Sequence, residues 1–195
     1  MNTGIILLAA GGSTRLGRPK QLLPWENGTL LRHAAVTAID SGLGPVAAVL
    51  GHAGEECRAA LTCLPVRIAV NETWREGMGG SISTGMGAFR DDGLSRVLIM
   101  LCDQPGVTAA ALRALSEHQQ STGAKIVASR YSGVLGPPAL FASALFPRLL
   151  GLRGPEGAKS LFTGADVESL PLPEAALDID TPADLETLPG RGESK

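Results

Sequence analysis

The sequence begins with GIILLAA (residues 4–10), an apolar run that leads directly into the glycine-rich stretch GGSTRLGRPK (residues 11–20). Residues 5–10 are all apolar, which is typical of a strand buried on both faces of a parallel sheet. The following stretch can bind an anion, because glycines let the backbone approach closely and consecutive N–H groups can hold phosphate oxygens. We therefore predict a phosphate-binding loop at the carboxyl end of the first strand, with Arg15 and Lys20 as its cations. The alternative is a surface turn after a buried strand.

Two better-known phosphate-binding loops do not fit this stretch. A P-loop requires G-x-x-x-x-G-K-[ST], and Gly12 and Gly17 have that spacing, but Arg18 and Pro19 follow them. A dinucleotide fingerprint requires G-x-G-x-x-G, which is absent here and also from the second glycine cluster, GMGGSI (residues 77–82). The loop therefore belongs to neither class.

The composition limits the classes of function. The 195 residues, 44% of them hydrophobic, suit a single domain with a full core. A net charge of -2 and an aromatic content of 4% argue against nucleic acid as a partner. No apolar run reaches the roughly 18 residues of a membrane span, and no basic residue precedes the first run as in a secretory signal. We predict a cytoplasmic protein that binds no membrane.

The order of apolar patterns predicts the fold class. Strand-like runs lie at residues 5–10, 46–50, 66–70, 97–102, 125–129 and 166–170, the last as an edge strand. Helical spacing covers residues 30–39, 57–64, 81–89, 108–121 and 158–162. This alternation predicts an α/β protein with a single doubly wound, mostly parallel sheet and helices on both faces. We expect one domain over residues 1–188 and a flexible C-terminal tail over residues 189–195.

Three other regions also have recognisable patterns. Residues 131–138 are rich in turn-forming residues and predict an irregular excursion. Phe141, Leu145, Phe146, Leu149 and Leu150 have the spacing of one helical face, which Pro147 would kink or divide. The segment TPAD (residues 181–184) has the signature of a helix start.

Acidic residues follow two of the predicted strands or extended segments. Asp103 comes directly after a buried strand, in LCDQP (residues 101–105), and should therefore share an edge of the sheet with the first loop. Mg²⁺ commonly takes one or two protein carboxylates and completes its shell with triphosphate and water oxygens. We predict Asp103 as a metal ligand; the alternative is a turn that closes the strand before Pro105.

A second acidic pair lies in DIDTP (residues 178–182). Asp178 and Asp180 share one face of an extended backbone, while Ile179 points to the other face. We predict Asp180 as the second metal ligand, with Asp178 in reserve. The alternative is that Asp180 only flanks a helix cap.

Five segments, in order along the chain, carry a family resemblance. They are LAAGGxTRLGxPK (residues 8–20), WREGMGGSISTG (residues 74–85), LCDQP (residues 101–105), GPPALF (residues 136–141) and DIDTPAD (residues 178–184). Together they resemble the MobA-like NTP transferase superfamily, and within it the molybdenum cofactor cytidylyltransferase branch. The resemblance implies a Rossmann-like nucleotidyltransferase fold and a Mg²⁺-dependent enzyme that moves CMP from CTP onto a small phosphorylated acceptor such as the molybdopterin cofactor, releasing pyrophosphate. It also implies a contact with a molybdoenzyme or an accessory protein.

The same resemblance implies roles for individual residues. Lys20 and Arg15 would be the catalytic cations at the triphosphate, and Asp103 would bind the metal. The nucleotide-binding residues would be Ala9, Ala10, Gly11, Gly12, Ser13, Thr14, Gly80, Ser81 and Ser83. Ala10, where guanine-selective relatives have glycine, goes with CTP rather than GTP. The branch often reads G-D-x-G-A where this chain has GPEGA (residues 154–158), so Pro155 and Glu156 leave the acceptor open.

Two alternatives stay open at this point. The first keeps the chemistry but changes the substrates, to a guanylyl- or cytidylyltransferase that acts on a sugar or isoprenoid phosphate. The second is a non-catalytic nucleotide-binding accessory protein. The presence of Lys20, Asp103 and Asp180 speaks against the second, because a pure binder does not need a metal to assist the departure of pyrophosphate.

Overall fold

The structure is a computed structural model and describes residues 2–13, 16–163, 166–177 and 179. In chain order the strands are β1 Thr3–Ala9, β2 Pro24–Trp25, β3 Gly28–Thr29, β4 Val46–Leu50, β5 Val66–Val70, β6 Arg96–Leu101, β7 Ile126–Tyr131, β8 Val134–Ala142 and β9 Val167–Pro171. The α-helices are α1 Leu30–Asp40, α2 Gly54–Ala60, α3 Met78–Gly87, α4 Ala109–Thr122 and α5 Phe146–Leu150. Short 3-10 helices span Lys20–Leu22, Trp74–Glu76, Ser143–Leu145, Gly157–Leu161 and Pro173–Ala176.

Seven strands form one twisted sheet in the order β5-β4-β1-β6-β8-β7-β9. All neighbouring pairs are parallel except those of β8, which runs antiparallel to β6 and β7. The predicted doubly wound, mostly parallel sheet is therefore confirmed, and β9 lies at its edge as expected. The strand order reverses between β1 and β6, because β4 and β5 extend the sheet on one side of β1 while β6 returns on the other.

The alternating side chains of β1 explain why helices cover both faces of the sheet. Ile5 and Leu7 are fully buried in a cluster that includes residues of α1, α2 and α4. Ile6 and Leu8 point the opposite way, into a second cluster that includes residues of α3 and α5. Burial of each such side chain stabilises the folded state by about 1.5–3 kcal/mol, so both faces of the sheet require a covering layer.

The strand β8 corrects the sequence prediction for residues 131–138. The prediction of an irregular excursion is wrong, because β8 lies inside the sheet, between β6 and β7. The prolines that suggested a turn are accommodated where the pairing of β7 with β8 shifts, from Ala128↔Ala139 to Ser129↔Gly136. Neither Pro137 nor Pro138 has to donate to the ladder there, and the Ser129 hydroxyl donates to Pro138 O at 2.7 Å.

The predicted helical face that starts at Phe141 is also wrong in its first part. Phe141 belongs to β8 and is fully buried, whereas Leu145 ends the 3-10 helix Ser143–Leu145. The apparent helical spacing therefore runs across three successive elements. The α-helix begins only at Phe146, with Pro147 in its first turn, where the missing N–H has no helical partner to lose. The segment predicted as a helix at residues 158–162 is the 3-10 helix Gly157–Leu161.

Several predictions fall outside this description. The helix start at residues 181–184 and the tail at residues 189–195 lie outside the described residues, so the proposed domain limits stay predictions. None of the helices in the described ranges combines the length and the apolar composition that a membrane span requires.

Close packing of α3 on the sheet gives a prediction about stability. A Cβ on Gly85 would lie 2.6 Å from Ile6 Cγ2 and 2.9 Å from Val49 Cγ2, whereas a Cβ on Gly87 meets nothing within 4 Å. We expect Gly85→Ala to lower the free energy of unfolding by about 1–3 kcal/mol, despite the higher helix propensity of alanine. The matched control Gly87→Ala should be neutral or up to about 1 kcal/mol more stable in the same urea titration. Equal effects of the two substitutions would contradict this packing.

Candidate functional site

A cavity of about 360 Å³ opens at the carboxyl ends of β1 and β6, where the strand order reverses. We call it the first cavity. It is lined by Leu8, Ala9, Ala10, Gly11, Gly12, Lys20, Gln21, Trp74, Arg75, Gly77, Met78, Ser81, Leu101, Cys102, Asp103 and Pro155. Such reversal points are where open α/β sheets place their ligands. Its volume is within the range of small-molecule sites.

An ion pair between Lys20 and Asp103 lies in this cavity. Lys20 Nζ contacts Asp103 Oδ2, and the two side chains are only 17% and 8% exposed. The pair joins the loop after β1 to the end of β6, and the adjacent Cys102 N–H donates to Leu8 O at 3.2 Å. The structure thus brings together the cation and the carboxylate that the sequence places 83 positions apart.

One oxygen of Asp103 remains available in this arrangement. Asp103 Oδ1 is buried and has no hydrogen-bond partner among the residues that the structure describes. A buried carboxylate oxygen without a donor is costly, so a ligand that supplies positive charge or a donor would be favoured at this point.

Gln21, which sequence reasoning missed, fixes the shape of the loop. Its side chain is 1% exposed, and its Nε2 donates to Ala9 O at 2.9 Å and to Gly11 O at 2.6 Å. Ser13 Oγ accepts from the Lys20 backbone N–H at 3.0 Å. Gln21 and Ser13 together close the base of the loop and orient Lys20. Within a polar stretch of sequence, a glutamine whose side chain is buried cannot be distinguished from one whose side chain is exposed to solvent.

Trp74 and Arg75 form another wall of the first cavity. A Cβ on Gly51 would lie 2.7 Å from Trp74 Cβ and 2.9 Å from Ala10 O, so Trp74 packs tightly against the ends of β1 and β4. The Arg75 guanidinium lies 4.4 Å from the centre of the Trp74 ring. Arg75 is therefore a cation at this site in addition to Lys20, and sequence reasoning missed it.

The second glycine cluster has a structural cause. A Cβ on Gly77 would meet the Gly154 carbonyl carbon at 2.5 Å, and one on Gly79 would meet the Arg153 backbone at 2.7 Å. The Gly79 N–H donates to Gly154 O at 2.9 Å. Glycine is required at these positions because residues 153–155, which we call the strap, lie directly on the start of α3.

The other predicted residues of this cluster differ in position. Ser81 lines the first cavity, and its Oγ accepts from Asn71 Nδ2 at 3.0 Å. Gly80 faces Asn71 instead, and the Ser83 hydroxyl donates to Leu150 O at 2.7 Å. The structure does not bring Gly80 or Ser83 to the wall of the cavity.

Four predicted residues, Thr14, Arg15, Asp178 and Asp180, lie outside the described residues. Ile179, between the two predicted carboxylates in sequence, is buried, and its N–H donates to Asp103 O at 3.3 Å. Within the described ranges, no group of three or more His, Cys, Asp or Glu side chains is placed to hold a metal ion.

Cys102 lines the first cavity but is poorly suited to be a nucleophile. Burial, and secondly the charge of Asp103, raise the pKa of its thiol well above the ordinary value. The thiol therefore stays protonated at neutral pH, whereas a nucleophilic cysteine needs the thiolate.

The role of Gln21 gives a testable prediction. We expect Gln21→Leu to leave the carbonyls of Ala9 and Gly11 without a donor and to lower the free energy of unfolding by about 1–3 kcal/mol. Affinity for the nucleotide that the sequence predicts should fall further than this loss of stability explains, because the loop loses its fixed shape. The matched control Gln120→Leu changes an exposed amide on α4, whose Nε2 donates to Ser116 Oγ at 3.4 Å. Unchanged nucleotide affinity in folded Gln21→Leu, measured by calorimetric titration, would refute the positioning role.

Comparison with known proteins identifies the family. Residues 5–170 match the MobA-like NTP transferase domain. The chain is 37% identical over 137 residues to nicotine blue oxidoreductase of Paenarthrobacter nicotinovorans, a match that covers 69% of this chain but less than two thirds (65%) of that protein. It is 32% identical over 163 residues to the purine catabolism protein PucB of Bacillus subtilis, which covers 80% and 78% of the two chains.

Solved structures agree with the sequence match. The crystal structure of Rv0371c from Mycobacterium tuberculosis is similar with a TM-score of 0.83 and 30% identity, over 95% of this chain and 96% of that one. A structure of Rv0371c in complex with manganese has a TM-score of 0.79 and 29% identity, over 95% and 97% of the two chains. Because the domain match runs from β1 to β9, the protein belongs to the MobA-like NTP transferase family.

Proposed function

We propose that the protein transfers CMP from CTP onto a small phosphorylated acceptor, such as the molybdopterin cofactor, and releases pyrophosphate. The observation that carries the proposal is the Lys20–Asp103 pair in the first cavity, with one buried carboxylate oxygen left without a partner among the described residues. A cation for phosphate and a carboxylate for a metal lie together at the reversal point of the sheet. We also propose that the enzyme acts in the cytoplasm and that a molybdoenzyme or an accessory protein receives its product.

Positive charge converges on the first cavity from several elements. Lys20 comes from the loop after β1, Arg75 from the 3-10 helix Trp74–Glu76, and the first turn of α3 also lines the cavity. The amino end of a helix carries partial positive charge and favours an anion. We assign the triphosphate to Lys20 and Arg15, supported by Arg75 and by the backbone of residues 9–14. We assign the side of the cavity that contains Ser81 to the nucleoside. Gly80 and Ser83 would contribute to nucleotide binding indirectly, by helping to position α3.

Asp103 fits a divalent metal. Its Oδ1 is a buried oxygen without a donor among the described residues, and carboxylate oxygen is the ligand that Mg²⁺ prefers. We propose that Asp103 and Asp180 hold Mg²⁺, with Asp178 in reserve; the hydrogen bond from Ile179 to Asp103 O supports this choice. The manganese complex of Rv0371c supports a divalent metal in the family. When bound, the metal would offset negative charge on the phosphates.

The proposed reaction is an in-line displacement. An oxygen of the acceptor phosphate forms a bond to the α-phosphorus, the bond from the α-phosphorus to the α,β-bridging oxygen breaks, and pyrophosphate leaves with the electron pair. An acceptor phosphate has a second pKa of about 6 and is already anionic at pH 7, so its attack requires no general base. Lys20 and Arg15 stabilise the negative charge that accumulates on the transferred group and on pyrophosphate.

The proposed preference for CTP depends on Ala10. Its side chain is buried and lines the first cavity. Gly51 and Trp74 pack closely against Ala10 and against each other, so this wall has little space into which it could move. A methyl group there leaves less room for a purine, and such overpacking corresponds to roughly 5- to 150-fold discrimination. Competition between CTP and GTP in a pyrophosphate-release assay tests this preference, and a preference for GTP would leave only the broader nucleotidyltransferase assignment.

The same assay separates the remaining alternatives. Pyrophosphate released only with a sugar or isoprenoid phosphate would indicate a different acceptor, and binding of CTP without release under any acceptor would indicate an accessory protein. One relative is named an oxidoreductase. We favour transfer over that activity, because the cavity contains a cation–carboxylate pair and the chain lacks a dinucleotide fingerprint.

The role of Lys20 can be tested directly. We expect Lys20→Ala to lower turnover by at least about 10²-fold, since a loop cation that stabilises developing charge contributes about 3 kcal/mol to the barrier. The measurement is steady-state pyrophosphate release with CTP, Mg²⁺ and the acceptor, on a variant with wild-type circular dichroism. Lys125→Ala is the matched control, because Lys125 pairs with Asp166 in an exposed ion pair on another part of the sheet. Near-normal turnover of Lys20→Ala would refute the role.

The role of Asp103 needs a different measurement. We expect Asp103→Asn to raise the Mg²⁺ concentration needed for half-maximal CTP binding by at least about tenfold, because the amide keeps the shape but loses the charge. Calorimetric titration of CTP at several Mg²⁺ concentrations measures this shift. Asp92→Asn, which alters the Arg67–Asp92 ion pair away from the cavity, should leave the requirement unchanged. An unchanged Mg²⁺ requirement in Asp103→Asn would indicate that the metal binds at Asp180 or elsewhere.

A further inference from the structure

Gln104 follows the proposed metal ligand Asp103 in sequence and is buried. Its Nε2 donates to Ala175 O at 2.8 Å and to the Tyr131 hydroxyl at 3.2 Å. The bond to Ala175 O fixes the orientation of the amide, because only its NH2 group can donate to a carbonyl. Gln104 therefore joins the loop after β6 to the 3-10 helix Pro173–Ala176.

The sheet alone does not bring the two proposed metal ligands together. Asp103 follows β6, whereas residues 178–180 follow β9, and β8 and β7 lie between these two strands. Three strand spacings amount to roughly 14 Å, so the chain after β9 has to cross the ends of two strands. The crossing starts where the Leu172 N–H donates to Arg130 O at 3.0 Å, and it reaches β6 where the Ile179 N–H donates to Asp103 O at 3.3 Å.

The crossing segment touches the loop after β6 through its backbone as well. A Cβ on Gly106 would lie 2.5 Å from Glu174 O, so the loop and the 3-10 helix are in direct contact there. Gly106 does not have a left-handed φ, and glycine is therefore needed at this position for the close approach. The amide of Gln104 adds a side-chain anchor to this contact, and a substitution can remove that anchor without changing the backbone.

We propose that Gln104 is a positioning residue for the metal: by holding the loop of Asp103 against the 3-10 helix Pro173–Ala176, it sets the separation between Asp103 and Asp180. The inference rests on the proposed function, since it assumes that these two carboxylates hold the metal. Mg²⁺ requires its oxygen ligands at nearly fixed distances, so a displaced ligand segment would lower the affinity for the metal. Gln104 acts through the loop and touches neither the metal nor the nucleotide.

The first experiment measures binding of Mn²⁺ alone to the nucleotide-free protein, from the electron paramagnetic resonance signal of free Mn²⁺. We expect Gln104→Leu to weaken Mn²⁺ binding by at least about tenfold, because leucine keeps the volume but loses the anchor. The matched control Gln119→Leu removes an amide on α4 that is also buried but has no partner among the described residues, and it should leave Mn²⁺ affinity unchanged. Unchanged affinity in folded Gln104→Leu, or an equal loss in Gln119→Leu, would overturn the proposal.

A second readout separates positioning of the metal from a general loss of structure. Affinity for CMP in the presence of EDTA, measured by calorimetric titration, should be the same in Gln104→Leu and in the unmodified protein, because the loop that carries Lys20 keeps its contacts. A merely structural role would lower both affinities together. A loss of metal-free CMP affinity as large as the loss of Mn²⁺ affinity would therefore contradict the positioning role.

Gly106→Ala tests the same contact without changing Gln104. The added methyl group must move the loop and the Glu174 carbonyl apart, and we expect Mn²⁺ affinity to fall by about tenfold. Gly87→Ala, whose methyl group meets open space, should have no effect on Mn²⁺ binding. Full Mn²⁺ affinity in folded Gly106→Ala would contradict the proposal, and this variant decides if Gln104→Leu does not fold.

The two proposals fail in different ways. Pyrophosphate release by the unmodified protein, together with unchanged Mn²⁺ affinity in Gln104→Leu, would refute the positioning role and leave the transfer intact. Weakened Mn²⁺ binding in Gln104→Leu without pyrophosphate release under any acceptor would refute the transfer but not the positioning role. Absence of Mn²⁺ binding to the unmodified protein would refute the two-carboxylate site and the inference with it.

Discussion

The parallel pairing of β1 with β6 is the constraint on which the candidate site depends. Leu8 lies opposite Leu101, so both strands end at the same level of the sheet. The loop that follows β1 and the carboxylate that follows β6 must then meet, and they do so in the contact between Lys20 and Asp103. The strand order reverses between these two strands, and the first cavity forms at this point. Gln21 completes this arrangement by binding two carbonyls of the loop.

Close contacts of the backbone shape one wall of the first cavity. The strap touches the start of α3 where Gly77 and Gly79 leave no room for a side chain, and this contact fixes Pro155 in the wall of the first cavity. Gly51 allows Trp74 to pack against the end of β1 in the same manner. These glycines therefore act by setting distances between elements.

The sequence predicted the parts of the molecule that depend on local patterns. The strands β4 and β5 fall at the predicted residues. The contact between Lys20 and Asp103 follows from two apolar strands that are each followed by polar residues at the same edge of the sheet. The strand β8 was missed because Pro137 and Pro138 look like a turn, and only the register shift against β7 shows how a strand can hold them. Gln21 and the strap were missed because their partners are distant in sequence or lie in the backbone, and no residue pattern records such contacts. The close packing of Gly77 and Gly79 against the strap was missed for the same reason.

A structure of the protein with CTP and a divalent metal tests the central claim most directly. We expect the triphosphate to occupy the first cavity, with Lys20 Nζ within hydrogen-bond distance of a phosphate oxygen, the metal on an oxygen of Asp103 and the cytosine beside Ala10. Nucleotide bound elsewhere, or bound in the first cavity with the metal away from Asp103, would contradict the account.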